Sequence, residues 1–212
     1  MALPLKLTSL PLFPLETVLF PEGLLPLRVF EVRYLDMVRK CQHAGAPFGV
    51  VALSSGREVR QAGAPQEQFH DVGTLAVIEQ LETPQPGLVT LLGRGTQRFR
   101  ILQRSHLPHG LWMADVEQIA QDAMVPVPED LRKVALALEQ VLHTLHDRQP
   151  NTVLPAPSSP KQANDCGWVA NRWCELLPVP LALKQQLMEL ENPLVRLELV
   201  GDVLERTGIA PQ

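Results

Sequence analysis

The sequence predicts an α+β protein: a small antiparallel β barrel carrying one packed helix over residues 1–122, then an α-helical subdomain over 123–212. Three observations predict it. Up to about Gln121 the apolar runs are short and bounded by Gly and Pro, as strands are. After Asp122 the apolar residues recur at spacings of three and four, as on a buried helix face. The chain also holds 20 prolines where average composition gives roughly eleven, and their scatter suits an irregular barrel with many corners rather than a repeat.

The first element is LPLFPLETVLFPEGLLPLRVFEVRY, Leu10 to Tyr34, with Pro11, Pro14, Pro21 and Pro26. A membrane helix does not tolerate proline at this density, and Glu16, Glu22, Arg28, Glu31 and Arg33 interrupt every window of about 18 residues that could span a bilayer. Residues Leu10 to Val29 are therefore expected as short edge or corner strands, with the prolines setting the bends. A helix is expected from Phe30 to about His43. Phe30, Tyr34, Met37, Val38 and Cys41 form its apolar stripe, Arg33, Asp36, Arg39 and Lys40 lie opposite, and Gly45 ends it.

PFGVVALS (Pro47–Ser55) reads as a buried strand, followed by a polar, Gly-containing loop from Gly56 to Asp71. VGTLAVIEQLE (Val72–Glu82) and LVTLLGRG (Leu88–Gly95) flank TPQPG and read as a hairpin. TQRFRILQR and LWMADVEQI continue the meander across LPHG, giving five or six strands in a closed or half-closed barrel.

In the second half, Pro128-Glu129-Asp130 makes a favourable first turn, and Leu131, Val134, Leu138, Val141, Leu142 and Leu145 form the stripe of a long helix. NTVLPAPSSPKQAN, Asn151 to Asn164, reads as a loop. Asp165 can cap a helix through about Leu177 that bears Trp168, Val169 and Trp173 as packing anchors. Pro178 and Pro180 open a further helix, and Asn192-Pro193 pairs a cap with a first-turn proline for a helix running to Gly208.

Nineteen basic and 23 acidic residues give a formal charge of −4, so no general electrostatic pull towards nucleic acid or an anionic membrane is expected. The N-terminus carries Lys6 inside its apolar stretch and no cleavage site, which reads as a cytoplasmic protein without a signal peptide. Cys41, Cys166 and Cys174 lack CxxC spacing and suit reduced structural thiols.

Motifs for chemistry are sparse. GRGTQR starts like GxGxxG but has Arg98 where the third glycine belongs, inside a hairpin, so a turn with a strand bulge is the reading. GxxxxGK[ST] and GxSxG do not occur. His143 and His146 with Glu139 and Asp147 read as a solvated helix face, Cys41 as a buried thiol, and His70-Asp71 as a loop pair. No enzyme activity, metal or cofactor is expected. Arg94, Arg98, Arg100 and Arg104 cluster on neighbouring strands, with Arg98 and Arg100 sharing a face by period-2 alternation. They form either a solvated face balanced by Glu79 and Glu82 or a nucleic-acid edge.

Taken in order, LPLFPLETVLFPEGLLPLRVFEVRYLDMVRKC, FGVVAL, VGTLAVIEQ, GRGTQRFRI and WVANRWCELLPVPLALKQQLMELENPLVRLELV resemble the N-terminal substrate-binding domain of the ATP-dependent Lon protease. The resemblance implies a PUA-like pseudo-barrel followed by a helical subdomain. It also implies recognition of polypeptide without proteolysis by a stand-alone domain, because the chain ends at Gln212, before an ATPase or peptidase module. Family-typical positions matched here are Pro14, Phe20, Pro21, Phe30, Glu31, Arg33, Tyr34, Gly49, Gly73, Thr74, Arg98 and Phe99. Of these, Gly49 and Gly73 are expected to serve close backbone approach and Phe30 and Phe99 the core, with Glu31 and Arg33 semi-buried and paired with other groups rather than in contact with a substrate.

The expected function is a polypeptide-recognition module for unfolded or partner protein segments, with an ATP-dependent protease as a partner in trans and no membrane partner. Phe13, Phe20, Pro21, Tyr34 and Leu111 are the expected contact surface. The alternative is RNA binding through Arg94, Arg98, Arg100 and Arg104.

Overall fold

In a computed structural model, residues 4–59, 63, 65–150 and 152–208 are described, and they fall into two compact units that meet between Gln121 and Asp122. Met1–Leu3, part of the Gly56–Asp71 loop (60–62 and 64), Asn151 and the last four residues lie outside the described residues.

The first unit has seven strands among the described residues: β1 (Lys6–Leu15), β2 (Leu24–Val29), β3 (Phe48–Ser55), β4 (Gln68–Phe69), β5 (Val72–Gln85), β6 (Leu88–His106) and β7 (Trp112–Gln118). The pairings β1–β7–β6–β5–β3 run antiparallel except that β3 closes back on β1 in parallel, which makes a ring of five strands. Strand β2 adds to β6 and β4 to β3. The expected hairpin joins β5 to β6 across Pro86-Gly87, with Gln85 opposite Leu88 and Gly87 at φ 81°.

Of the expected edge or corner roles, strand β1 takes the corner one. Its first half bonds β7 up to Leu12, and from Leu12 onward it bonds β3 instead. Each half thus keeps one unpaired side, where the missing N–H of Pro11 or Pro14 is tolerated. Among the described strands β2 is bonded to β6 alone, and there Pro26 behaves as an edge proline. The stretches expected as two strands, 88–95 and 96–104, are one 19-residue strand, β6, whose register against β5 slips between Thr74 and Ala76. That slip is a bulge, and it falls in GRGTQR.

Helix α1 spans Val32–Ala44 and ends on Gly45 in the left-handed region at φ 59°, as the sequence predicts. Tyr34, Leu35, Met37, Val38 and Cys41 join Phe13, Leu19, Leu25 and Phe48 in a core cluster against the barrel, while Leu12, Leu53, Phe69, Leu75, Phe99 and Val116 make a second one. Two expectations need correcting. Phe30 precedes the helix and is 53% exposed, so it does not fill the core; Arg33 is buried, not on the solvent side. The Arg33 guanidinium is carried by two carboxylates, Glu31 and Glu67, each at 3.2 Å, and donates to the Gly110 carbonyl at 2.7 Å. A buried cation with its donors satisfied in this way is compatible with a core.

Gly73 and Gly95 are places where no side chain fits. An added Cβ would sit 2.3 Å from the Val50 carbonyl oxygen in the first case and 2.3 Å from that of Phe20 in the second.

The second unit is helical: a 3₁₀ turn at Glu129–Leu131, then α2 (Arg132–Arg148), α3 (Pro160–Ala163), α4 (Cys166–Leu176), α5 (Leu181–Glu189) and α6 (Pro193–Thr207). Asp165 caps α4 by accepting from the Trp168 N–H at 3.0 Å, and Asn192 caps α6 by accepting from the Leu194 N–H at 3.0 Å. Gly208 ends α6 at φ 71°. The proline-rich segment is not wholly loop, because Ser159 accepts from the Gln162 N–H and starts the single turn α3 ahead of Pro160. Trp173 ties α4 to α2 by donating its indole N–H to the Val134 carbonyl at 2.9 Å.

Candidate functional site

A concavity of the helical unit, about 850 Å³, lies between one face of α2 and Pro150 with residues 152–157. This volume is in the range of small-ligand and peptide sites. Along α2 the wall is Arg132, Ala135, Leu136, Leu138, Glu139, Leu142 and His146; Pro150 and Thr152 to Pro157 make the other side, with Trp168 from α4. Leu136 is 50% exposed and Val153 58%, so apolar surface is offered to solvent on both walls. The floor is rigid. Leu138 is fully buried, and Trp168, largely buried, is held from the helix start that Asp165 caps. Asp165 also accepts from the Val125 N–H at 2.8 Å, and Pro126 bridges to Asp165, which fixes that end of α4.

The barrel unit has a smaller cleft of about 290 Å³, with Phe13, Leu15, Leu27, Phe30, Tyr34 and Glu58 among its lining residues. Phe13 and Tyr34 stack at 4.0 Å between ring centroids, and the Arg33 guanidinium lies 4.5 Å over the Tyr34 ring. Burial pushes the Tyr34 hydroxyl well above its ordinary range, with Arg33 pulling it back.

The residues expected to contact polypeptide are thereby located. Phe13, Phe20, Tyr34 and Leu111 are buried and Pro21 is half-buried. Phe13 and Tyr34 line the smaller cleft, and there they form its floor. Their size and apolarity read equally well as contact surface or as core, and the barrel closes over them. The four arginines are not brought onto one stripe. Arg94 is paired with Glu79 across the hairpin, Arg98 is buried, Arg100 is exposed, and Arg104 lies 3.8 Å from Asp71 and over the Phe69 ring at 5.0 Å. Arg98 and Arg100 pair in regular register with Thr74 and Val72 and so share a face, as alternation predicts; they differ in cover, since Thr74 beside Arg98 bonds the Leu19 carbonyl while Arg100 stays exposed.

Other groups weighed for chemistry have structural partners. Burial raises all three thiols, Cys166 to about 11 and Cys174 to about 12, which leaves them protonated and poorly nucleophilic at neutral pH. His143 and Asp147 pair at 3.0 Å on an exposed face of α2. Among the described residues no group of three His, Cys, Asp or Glu side chains is placed to hold a metal ion, and no helix is long and apolar enough to cross a membrane.

Leu136 and the main chain of 152–157 went unnamed as site residues in the sequence reading. A signal was present: Leu136 falls off the buried stripe of α2, and an off-stripe leucine just before a proline-rich segment marks a partly covered apolar face.

Comparison with known proteins agrees with this architecture. The family model for the ATP-dependent protease La (LON) substrate-binding domain matches residues 9–206. The chain is 25% identical over 198 residues to a Lon protease of Anaeromyxobacter dehalogenans, covering 93% of this chain and 23% of that protein. Against Lon protease 2 of Desulfotalea psychrophila it is 29% identical over 203 residues, covering 92% and 25%. It thus spans about a quarter of the length of the curated relatives it matches. Among solved structures, a Lon N-terminal domain protein from Xanthomonas campestris is similar at TM-score 0.69 and 31% identity, over 92% of this chain and 97% of that one. The N-terminal domain of Mycobacterium avium complex Lon protease shares the fold at TM-score 0.57 and 16% identity, over 92% and 96%. Barrel, helical unit and a match running from Ser9 to Arg206 together place the chain in the family of Lon substrate-binding domains.

Proposed function

We propose that this protein recognises polypeptide segments without cleaving them, and that the apolar groove between α2 and residues 152–157 is where it does so. The observation that carries the reading is this groove, with Leu136 and Val153 half-exposed across it, on a chain of a substrate-binding family. Unfolded segments expose the apolar side chains that such a trough buries. The ordering they undergo keeps affinities modest, with a dissociation constant near micromolar, about −8 kcal/mol. The protein itself performs no chemistry in this reading. The bound segment would be handed to an ATP-dependent protease acting in trans, in a cytoplasm whose reducing conditions suit three buried free cysteines.

The test is fluorescence anisotropy of a labelled, permanently unfolded protein titrated with this one at low and high salt. Saturable binding that survives salt is expected. Leu136→Asp should abolish it, whereas Leu102→Asp, an equally exposed leucine on β6, should not. Absence of saturable binding up to hundreds of micromolar overturns the reading. Nucleic-acid binding would instead show log affinity falling with log salt by about 0.7 to 0.9 per phosphate contacted.

A further inference from the structure

Resting on that reading, we propose that the groove takes its polypeptide in extended form and holds it mainly by the main chain, favouring apolar segments without an acidic residue at their centre. The first support is dimension. Arg132 to His146 on α2 line the groove over about 20 Å at 1.5 Å per residue, the span of about six extended residues.

The second support is the wall facing α2. Residues 152–157 belong to neither helix nor strand, and Leu154 and Ala156 each precede a proline, which confines them to extended or polyproline conformations. The main-chain N–H groups of Val153, Leu154 and Ala156, and the carbonyls of Val153, Leu154 and Pro155, bond no described residue. An apolar trough is therefore edged by unused donors and acceptors. An extended chain laid beside them replaces water with main-chain hydrogen bonds, as in strand addition to a sheet edge. A helical occupant has its own main-chain groups already paired and gains nothing from this wall. Pro155 and Pro157 contribute no donor, so the wall gives a few bonds rather than a continuous ladder. That keeps the contact reversible and prevents the segment from templating aggregation.

Charge supplies the third support. The ionisable side chains in the groove are Arg132 at one end, bonded to Glu129 at 2.9 Å, Glu139 midway, and His146 at the other end. A carboxylate midway repels a central Asp or Glu of the occupant, and the apolar walls around it offer no compensating cation.

The test uses the full 212-residue protein and labelled apolar peptides of about eight residues. Four forms are compared: the parent, two versions N-methylated at alternate amides along one edge or the other, and a helix-stapled version. Methylation along one edge should weaken binding about fivefold to tenfold for each hydrogen bond removed, while methylation along the other changes little. The stapled peptide should bind more weakly than the parent. A central Asp should weaken binding in the native protein and much less in Glu139→Gln. If both methylated peptides bind like the parent, or the stapled helix binds best, the main-chain proposal is overturned while polypeptide recognition stands. If the parent peptide and unfolded protein both fail to bind, both readings fall.

Discussion

The Arg196 guanidinium on α6 reaches the Asp122 carboxylate at 2.6 Å across 74 residues of sequence, and it is almost completely buried. The same side chain donates to the Asn171 carbonyl oxygen at 3.0 Å, to the Leu187 carbonyl at 2.9 Å and to the Leu190 carbonyl. One cation thus ties the start of the helical unit to α4, α5 and α6. The cost of taking the charge out of water is offset only because four acceptors surround it.

Arg196→Met should therefore destabilise the helical unit by about 3–5 kcal/mol, since a partly buried carboxylate, the Asn171 side-chain oxygen and two main-chain carbonyls lose this donor. Arg196→Lys should recover little, because one ammonium cannot reach acceptors spread around a planar fork. Urea denaturation followed by far-UV circular dichroism checks both. A loss under about 1 kcal/mol for the Met variant would contradict this account.

A second prediction separates two glycines two residues apart. At Gly93 an added Cβ meets nothing closer than 3.7 Å, whereas at Gly95 it would lie 2.3 Å from the Phe20 carbonyl oxygen. Gly93→Ala should shift stability by no more than about 0.5 kcal/mol. Gly95→Ala forces backbone apart in a closed ring and should cost about 3 kcal/mol. Thermal melts of the two variants side by side decide the matter, and equal melts would show that the barrel gives way at this point.

This pair shows where the sequence is legible and where it is not. Local signals were readable: Gly45 and Gly208 as left-handed helix ends, Asp165 and Asn192 as caps, and the switch of period after Asp122. Each depends on a few neighbouring residues. Arg33 was misplaced because what buries it lies 34 and 77 residues away, at Glu67 and Gly110. Arg98 and Arg100 share a face as alternation predicts, but that Arg98 is covered and Arg100 is not depends on chain from elsewhere, such as the Leu19 carbonyl that Thr74 bonds beside Arg98. The groove was invisible for the same kind of reason. Both its walls were identified, as a helix and a proline-rich segment, but their approach is tertiary.

The third prediction concerns Glu175, bonded by Arg172 at 2.7 Å with its side chain 23% exposed. Burial pushes its carboxyl up to about 7, with Arg172 and Lys184 pulling the other way. Its folded value lies above the ordinary 4.5, so the folded state holds this proton more tightly. The stability it contributes is fully present below about pH 4.5 and is lost as pH rises through about 7. The loss is on the order of 3 kcal/mol. Glu175→Gln keeps an oxygen for Arg172 and should flatten the decline between pH 5 and 8, read from denaturation midpoints at each pH. An unchanged slope would mean that Arg172 keeps this carboxyl ionised throughout.

Glu67 in the barrel carries the opposite sign. Burial alone would raise its carboxyl, but its own main-chain hydrogen bond, the Arg33 charge at 3.2 Å and the Trp112 indole N–H at 3.1 Å outweigh burial and hold it below the ordinary value. Its contribution is therefore present above about pH 4.5 and disappears as pH falls through the depressed value. Protonation removes the acceptor that Trp112 and Arg33 share, and Arg33 is left buried with Glu31 as its remaining carboxylate partner. The Trp112 indole N–H resonance should accordingly move in that acid window, while that of Trp173, bonded to the Val134 carbonyl, stays put. Glu67→Gln should lower the barrel's melting temperature at neutral pH and remove the acid-dependent part of its loss. A Trp112 resonance that titrates with the ordinary carboxylates near pH 4.5 would show that Arg33 does not hold Glu67 ionised.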